Sequence, residues 1–210
     1  LEIDSPENAK TAFSSVLKKQ VQIQDSNEDS EEILAKTYFQ LGQLKEQSQN
    51  YLVAIEHYEK GLERTKESSL QIQISSALGY CYGCQEDYDS AIKCYQKVVQ
   101  NYSDGLRQDL LVSAYHALAD LYVKKELWEQ ARNFYLQAID GADVISADSS
   151  LKGELYFKLA ECLRAQNLDE QVLESYQKAL ELSPDAVWKG DALYHIAEGN
   201  FLDGEYLEAV

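Results

Sequence analysis

The sequence lacks methionine altogether and contains little proline, glycine or phenylalanine. Its 210 residues include two prolines and ten glycines, a content that suits long helices joined by short turns. Basic residues are also scarce: 19 lysines and arginines stand against 36 acidic residues, which gives a formal net charge of −17. Phosphate binding needs a basic surface, so this charge argues against a nucleic-acid partner.

Long hydrophobic runs are missing as well. No apolar stretch approaches the ~20 residues that a membrane span requires, and the N-terminus shows no signal-peptide pattern. Four cysteines without disulfide-like spacing indicate a reducing compartment, which predicts a cytoplasmic protein.

Small residues recur in pairs twelve positions apart along the chain, with valine as one exception. The pairs are Gly42 and Ala54, Gly79 and Ala91, Ala119 and Ala131, Ala160 and Val172, and Ala197 and Ala209. Four positions after the second member of the first four pairs stand Tyr58, Tyr95, Tyr135 and Tyr176. If the first small residue is position 8 of a repeat, the repeats begin at Ala35, Ile72, Val112, Gly153 and Gly190. An internal repeat of this kind predicts an array of stacked units.

Each repeat carries two stretches of apolar residues at helical spacing. In the third repeat, Tyr115, Leu118 and Tyr122 share one face of the first stretch, and Tyr135 and Ala138 share one face of the second. Glycine or alanine is needed where two helices cross closely, because a larger side chain would hold the backbones apart. The pattern therefore predicts antiparallel helix pairs. Ser183 is expected to cap the N-terminus of the next helix, with Pro184 at its first position.

These residues resemble the tetratricopeptide repeat (TPR) family. The fourth repeat carries the family pattern at Tyr156, Leu159, Ala160, Leu163, Val172, Tyr176, Ala179 and Pro184. The resemblance implies an all-α fold, a right-handed superhelical solenoid of antiparallel helix pairs. The family period is about 34 residues, whereas the repeats here are 37 to 41 residues apart, so we expect lengthened helices or turns.

The domain organisation follows from the repeats. Residues 35–210 form about four and a half TPR-like repeats, starting near 35, 72, 112, 153 and 190. Residues 1–34 comprise an N-terminal helix, which is either a capping helix or the end of a preceding repeat, and an acidic linker. The fifth repeat stops inside its second helix, so we expect the chain to be part of a longer array.

No motif predicts an active site, a metal site or a cofactor. Cys81 and Cys84 form a C-x-x-C, but zinc would need two further ligands at workable spacing. Cys81 and Cys162 both fall at position 10 of their repeats, where cysteine is interpreted as a small packing residue. No nucleophile motif accompanies the three histidines, and no glycine-rich phosphate loop is present.

In the resembling family, positions 2, 5, 9 and 12 of each first helix face a concave groove. The resemblance therefore implies a groove lined here by aromatic and charged residues that bind a partner: Phe39, Tyr80, His116, Asp120, Phe157, Glu161, Arg164, Tyr194, Glu198 and Phe201. Some family members hold an acidic tail with lysines and asparagines at these positions. This chain has Lys36 and Lys158 but lacks the asparagines, so we expect no such clamp.

The sequence favours a non-enzymatic adaptor that binds a peptide or helix of a partner protein in this groove. Because acids and aromatics lie together there, the expected partner segment is basic or amphipathic. The alternatives are a regulatory or targeting region of a larger enzyme, and a part of a bacterial cell-envelope assembly protein. The oligomeric state is not determined by the sequence.

Overall fold

The computed structural model describes residues 28–102, 108–166 and 169–202. These ranges contain nine α-helices and no strand. In chain order the helices are α1 (Glu28–Gln47), α2 (Tyr51–Leu62), α3 (Ser68–Cys84), α4 (Tyr88–Asn101), α5 (Gln108–Lys124), α6 (Trp128–Val144), α7 (Ser149–Ala165), α8 (Asp169–Leu182) and α9 (Lys189–Leu202). The all-α fold of helix pairs expected from the sequence is confirmed. Among the described helices, none combines the length and apolar character needed to cross a membrane.

The chain divides between residues 106 and 107 into two compact units. In the N-terminal unit, α1 packs on α2 and α3 packs on α4, while α2 joins the two pairs by packing on α3. Its core contains Tyr58, Ile74, Leu78 and Cys81, all of them buried. The packing of each helix on its sequence neighbours is what a helix-pair repeat requires.

The C-terminal unit repeats this arrangement. Helix α5 packs on α6, α6 on α7, α7 on α8, and α8 on α9. Its core is built around Tyr135, Leu155, Leu163 and Tyr176, which are at most 2% exposed. The first helices of the third and fourth repeats, α5 and α7, carry Asp120, Glu161 and Arg164 of the predicted site, and Glu198 lies on α9.

Most of the paired small residues are buried as the repeat pattern predicts, whereas Ala197 in the fifth repeat is only partly buried. Ala54, Ala91, Ala119, Ala131 and Ala160 are completely buried. A methyl group added at Gly79 would lie 2.6 Å from the ring of Tyr95, and one added at Gly42 would overlap the ring of Tyr58. The glycines of the first helices are therefore required because the tyrosine of the second helix packs directly against the backbone.

Helix α1 begins at Glu28, earlier than the repeat start near residue 35. Residues 29–32, which the sequence analysis placed in an acidic linker, form the first turn of this helix. Acidic side chains are favourable at a helix N-terminus, where they oppose the positive end of the helix dipole. The C-terminal part of the acidic segment, from Glu28 onward, therefore belongs to helix α1.

The expected cap at Ser183 is wrong. Helix α8 ends at Leu182, but α9 begins only at Lys189, and the Ser183 hydroxyl instead donates to the Ser149 carbonyl oxygen at 3.3 Å. The intervening residues form turns that place the ring of Trp188 against Phe157, with 4.7 Å between ring centroids. Because Trp188 packs in this way, residues 184–188 stay outside the helix, and α9 begins only after the Ser183-Pro184 pair.

Two expectations fall outside the described residues. They are the N-terminal helix within residues 1–34 before Glu28, and the second-helix position Ala209.

Candidate functional site

A cleft in the C-terminal unit brings together several residues of the predicted groove. It has a volume of about 400 Å³ and lies between α5, α7 and the start of α6. Two carboxylates and three cations line it: Asp120, Glu161, Lys124, Lys158 and Arg164. Apolar surface comes from Val123, Trp128 and Ala165. Asp120, Glu161 and Arg164 are thus neighbours in space, although Asp120 and Glu161 come from different repeats.

Asp120 is held by residues of its own chain. Its Oδ1 accepts a hydrogen bond from the Tyr135 hydroxyl at 2.6 Å, and its Oδ2 accepts one from Lys158 Nζ at 2.7 Å. Lys158 Nζ also lies 3.0 Å from Nε2 of His116 and 3.4 Å from Glu154. Charge-assisted hydrogen bonds of this length are strong, so Asp120 is engaged on both oxygens before any partner binds.

Glu161 is engaged in the same way. One carboxylate oxygen accepts from the Tyr176 hydroxyl and lies 3.8 Å from His195 Nε2, while the other accepts from Arg164 Nη2 at 2.9 Å. Burial alone would raise the pKa of Glu161, but the hydrogen bonds from Arg164 and Tyr176 outweigh it and hold this pKa below its usual value. The other ring nitrogen of His195 lies 3.2 Å from Glu198.

The tyrosine of the second helix donates to an acid of the first helix in three repeats. Tyr135 and Tyr176 bind acids at position 9, fifteen residues earlier, and Tyr58 binds Glu46 at 2.6 Å from position 12. The second repeat has tyrosine and glycine at these positions, and the hydroxyl of Tyr95 has no partner among the described residues. This pairing was not predicted from the sequence, although the separation of fifteen residues between acid and tyrosine in the third and fourth repeats could have indicated it.

The predicted aromatic residues of the C-terminal unit differ in how accessible they are. The ring of Phe157 lies between Trp188, at 4.7 Å, and Tyr176, at 5.8 Å, measured between centroids. Tyr194 and Phe201 on α9 are about 60% exposed, at 63% and 59% respectively. Tyr194 packs its ring against His195 at 5.1 Å. Phe157 therefore supports the site from within, whereas Tyr194 and Phe201 present surface to solvent.

Two predicted residues belong to the N-terminal unit. Phe39 packs on Tyr58 with 5.8 Å between ring centroids, and Tyr80 is 49% exposed and meets the edge of Tyr51 at 6.1 Å. Neither residue lines the cleft of the C-terminal unit.

The four cysteines are side chains of the described helices. All four are free thiols; Cys81 and Cys162 are buried, as packing residues at position 10 should be, whereas Cys84 is exposed. Burial raises the pKa of Cys81 to about 12, with a further contribution from Glu46, so this thiol stays protonated. Within the described ranges no three His, Cys, Asp or Glu side chains gather in a way that could hold a metal ion.

The surroundings of His116 predict a pH-dependent contribution to stability. Burial lowers its pKa below the ordinary value; Asp120 opposes this shift and Lys158 adds to it. The unfolded chain therefore binds a proton more readily than the folded chain, and stability falls as the pH drops through about 6.5, the ordinary histidine value. We expect the unfolding free energy of His116→Gln, measured by urea titration, to decrease less over this range than that of the wild type. Parallel curves for the two proteins would contradict this assignment.

The comparisons with known proteins agree on the repeat. The sequence profile described as Tetratricopeptide repeat matches residues 33–104, 70–143 and 110–185, in three overlapping segments. No curated protein matches the chain by sequence.

Several solved structures share the fold. BtubC (BKLC) from P. vanneervenii is 15% identical, with a TM-score of 0.70 over 98% of this chain and 87% of its own. YrrB, a TPR protein with an unusual peptide-binding site, is 20% identical, with a TM-score of 0.68 over 95% of this chain and 87% of its own. MamA is 19% identical, with a TM-score of 0.67 over 84% of this chain and 86% of its own. At these identities the likeness concerns the fold alone.

Proposed function

This chain belongs to the tetratricopeptide repeat family, and from that premise we propose that it is a non-enzymatic adaptor holding an amphipathic peptide or helix of a partner protein on its C-terminal unit. Tetratricopeptide repeats are generally non-catalytic protein-interaction repeats. The single observation that carries the proposal is the cleft of about 400 Å³ lined by Trp128, Lys158 and Arg164. A concave site with apolar walls and a few polar groups is the usual form of a binding site.

The bound segment would extend from the cleft toward α9. Glu161 lines the cleft and lies 3.8 Å from His195, whose ring in turn contacts that of Tyr194 at 5.1 Å. Tyr194 is largely exposed and is therefore a candidate anchor for an apolar side chain of the partner. YrrB provides a precedent for peptide binding by this fold.

A cytoplasmic location is part of the proposal. It rests on the four cysteines, which are all free thiols, as expected of a protein in a reducing compartment.

The proposal is tested by filling the cleft without removing a native contact. Ala165 is an exposed residue at the end of α7 that lines the cleft, so Ala165→Trp should occupy it while leaving the core intact. We expect peptides selected from a random display library on the wild-type chain to bind Ala165→Trp at least about tenfold more weakly, as expected for loss of a binding hot spot.

Gln137→Trp is the matched control, since Gln137 is exposed on α6 and does not line the cleft. It should bind the selected peptides as tightly as the wild type does, by fluorescence anisotropy. Equal affinity of the wild type and Ala165→Trp would place the partner on another surface.

A further inference from the structure

The carboxylate acceptors that line the cleft are already hydrogen-bonded within the chain, whereas several of its hydrogen-bond donors are not. Both carboxylates are already engaged: Asp120 accepts from Tyr135 and Lys158, and Glu161 accepts from Tyr176 and Arg164. Lys158 is engaged as well, by Asp120, His116 and Glu154. A partner therefore finds few free acceptors in this cleft, although the whole chain is strongly acidic.

Donors remain available. Within the described ranges, no residue pairs with the exposed Lys124 or accepts from the indole N–H of Trp128. Arg164 is 46% exposed; its guanidinium carries five N–H groups, of which one donates to Glu161, and it also interacts with the Tyr176 side chain. Lys158 and Arg164 are paired with Asp120, Glu154 and Glu161, so among the described residues Lys124 is the one charge of the lining that has no partner, and it is positive although the whole chain carries −17.

The helix ends around the cleft do not reverse this balance. Helices α5 and α7 end at Lys124 and Ala165, and α6 begins at Trp128, so two negative dipole ends and one positive end lie close by. Each end corresponds to roughly half a charge and acts only within the terminal turn. The full charge of Lys124, which has no partner among the described residues, is therefore larger than the net effect of the helix ends.

We propose that this cleft selects partner segments in which an acidic side chain stands next to an apolar one, an inference that rests on the proposed function. The carboxylate is held by Lys124 and Arg164, with the Trp128 indole N–H as a further donor, and the neighbouring apolar side chain packs on Trp128, Val123 and Ala165. Recognition depends on a side-chain carboxylate within the segment. The acids and aromatics at the predicted groove positions led to the expectation of a basic or amphipathic segment, whereas the acidic selectivity proposed here rests on the engagement of Asp120 and Glu161 within the chain.

The inference is tested by selecting random unmodified peptides on the full wild-type chain, with counter-selection on Ala165→Trp so that only cleft-dependent binders are recovered. We expect these binders to share an Asp or Glu beside an apolar residue. Replacing that acid by its amide should weaken binding by about tenfold, the size expected for a charge-assisted hydrogen bond.

Two charge reversals in adjacent residues separate the local effect from the change in net charge. Lys124 lines the cleft and Lys125 does not, yet both are exposed and either reversal alters the chain's charge equally. We expect Lys124→Glu to weaken the acidic peptides about fivefold or more, because it places like charges together, and Lys125→Glu to change their affinity by less than about twofold.

The outcomes distinguish the two proposals. Cleft-dependent binders that are rich in Lys or Arg, or equal effects of Lys124→Glu and Lys125→Glu, would overturn the acidic selectivity while leaving the cleft as the binding site. The absence of any cleft-dependent binder would overturn both. Normal thermal melting of each variant establishes that a loss of binding is not a loss of folding.

Discussion

Gly79→Ala is expected to destabilise the chain by about 1–2 kcal/mol even though alanine is the better helix former. The new Cβ would lie 2.6, 2.8 and 2.9 Å from three atoms of the Tyr95 ring, which is 8% exposed and has little room to move. Overpacking of a core typically costs about 1–3 kcal/mol. The higher helix propensity of alanine stabilises the helix by roughly 0.5–1 kcal/mol, which is less than the expected cost of overpacking, so the net effect is unfavourable.

Gly190→Ala is the matched control for this substitution. Gly190 lies near the start of α9, and a Cβ added there would meet no atom within 4 Å. Its unfolding free energy should stay within about 0.5 kcal/mol of the wild type or rise slightly, as is usual for an exposed site. Both variants are compared by urea denaturation and melting temperature. An unchanged Gly79→Ala protein would show that Tyr95 can retreat from the helix, and that the glycine is not required by the crossing.

Tyr135→Phe should cost about 1–2 kcal/mol. The phenol oxygen donates to Asp120 at 2.6 Å, and its pKa is raised by burial and by the neighbouring carboxylate, so it stays protonated and can keep donating. Hydrogen bonds to charged groups contribute about 1.5–3 kcal/mol. We expect the lower part of this range because the Asp120 side chain is 42% exposed and keeps its bond to Lys158.

Tyr95→Phe is the matched control, because it removes a tyrosine hydroxyl without removing a hydrogen bond such as the one from Tyr135 to Asp120. Tyr95 occupies the same position in the second repeat, but its hydroxyl has no partner among the described residues. Its substitution should change the unfolding free energy by no more than about 0.5 kcal/mol. If Tyr135→Phe and Tyr95→Phe were equally stable relative to the wild type, the bond to Asp120 would contribute nothing measurable.

The hydrogen bonds between tyrosine and acid also lie within the predicted partner-binding site. Of the ten residues expected to bind a partner, Asp120, Glu161 and Arg164 line one cleft, and His116 and Glu198 contact its charged network directly or through His195. Phe157 lies between Trp188 and Tyr176, so removing it would disturb the core as well as any bound partner. The exposed Ala165 is therefore the better residue with which to test binding.

The sequence by itself determined the helix pairs and their core positions. Small residues twelve positions apart and a tyrosine four positions later are local periodicities, and helical geometry converts them directly into faces that must pack. Buried Ala131 and Tyr135 could be identified for this reason. The start of α9 could not, because the packing of Trp188 on Phe157 overrides the local Ser-Pro signal.

Only the tertiary structure decided which charges a partner can reach. Asp120 is neutralised by Lys158, which lies 38 positions further along the chain in the next repeat, while Lys124 on the same helix as Asp120 is left unpaired among the described residues. Such pairing depends on the distance and rotation between neighbouring helices, which sequence spacing does not fix. Net charge could therefore be read from composition, but the sign of the charge available in the cleft could not, because ion pairing depends on distances of a few ångströms.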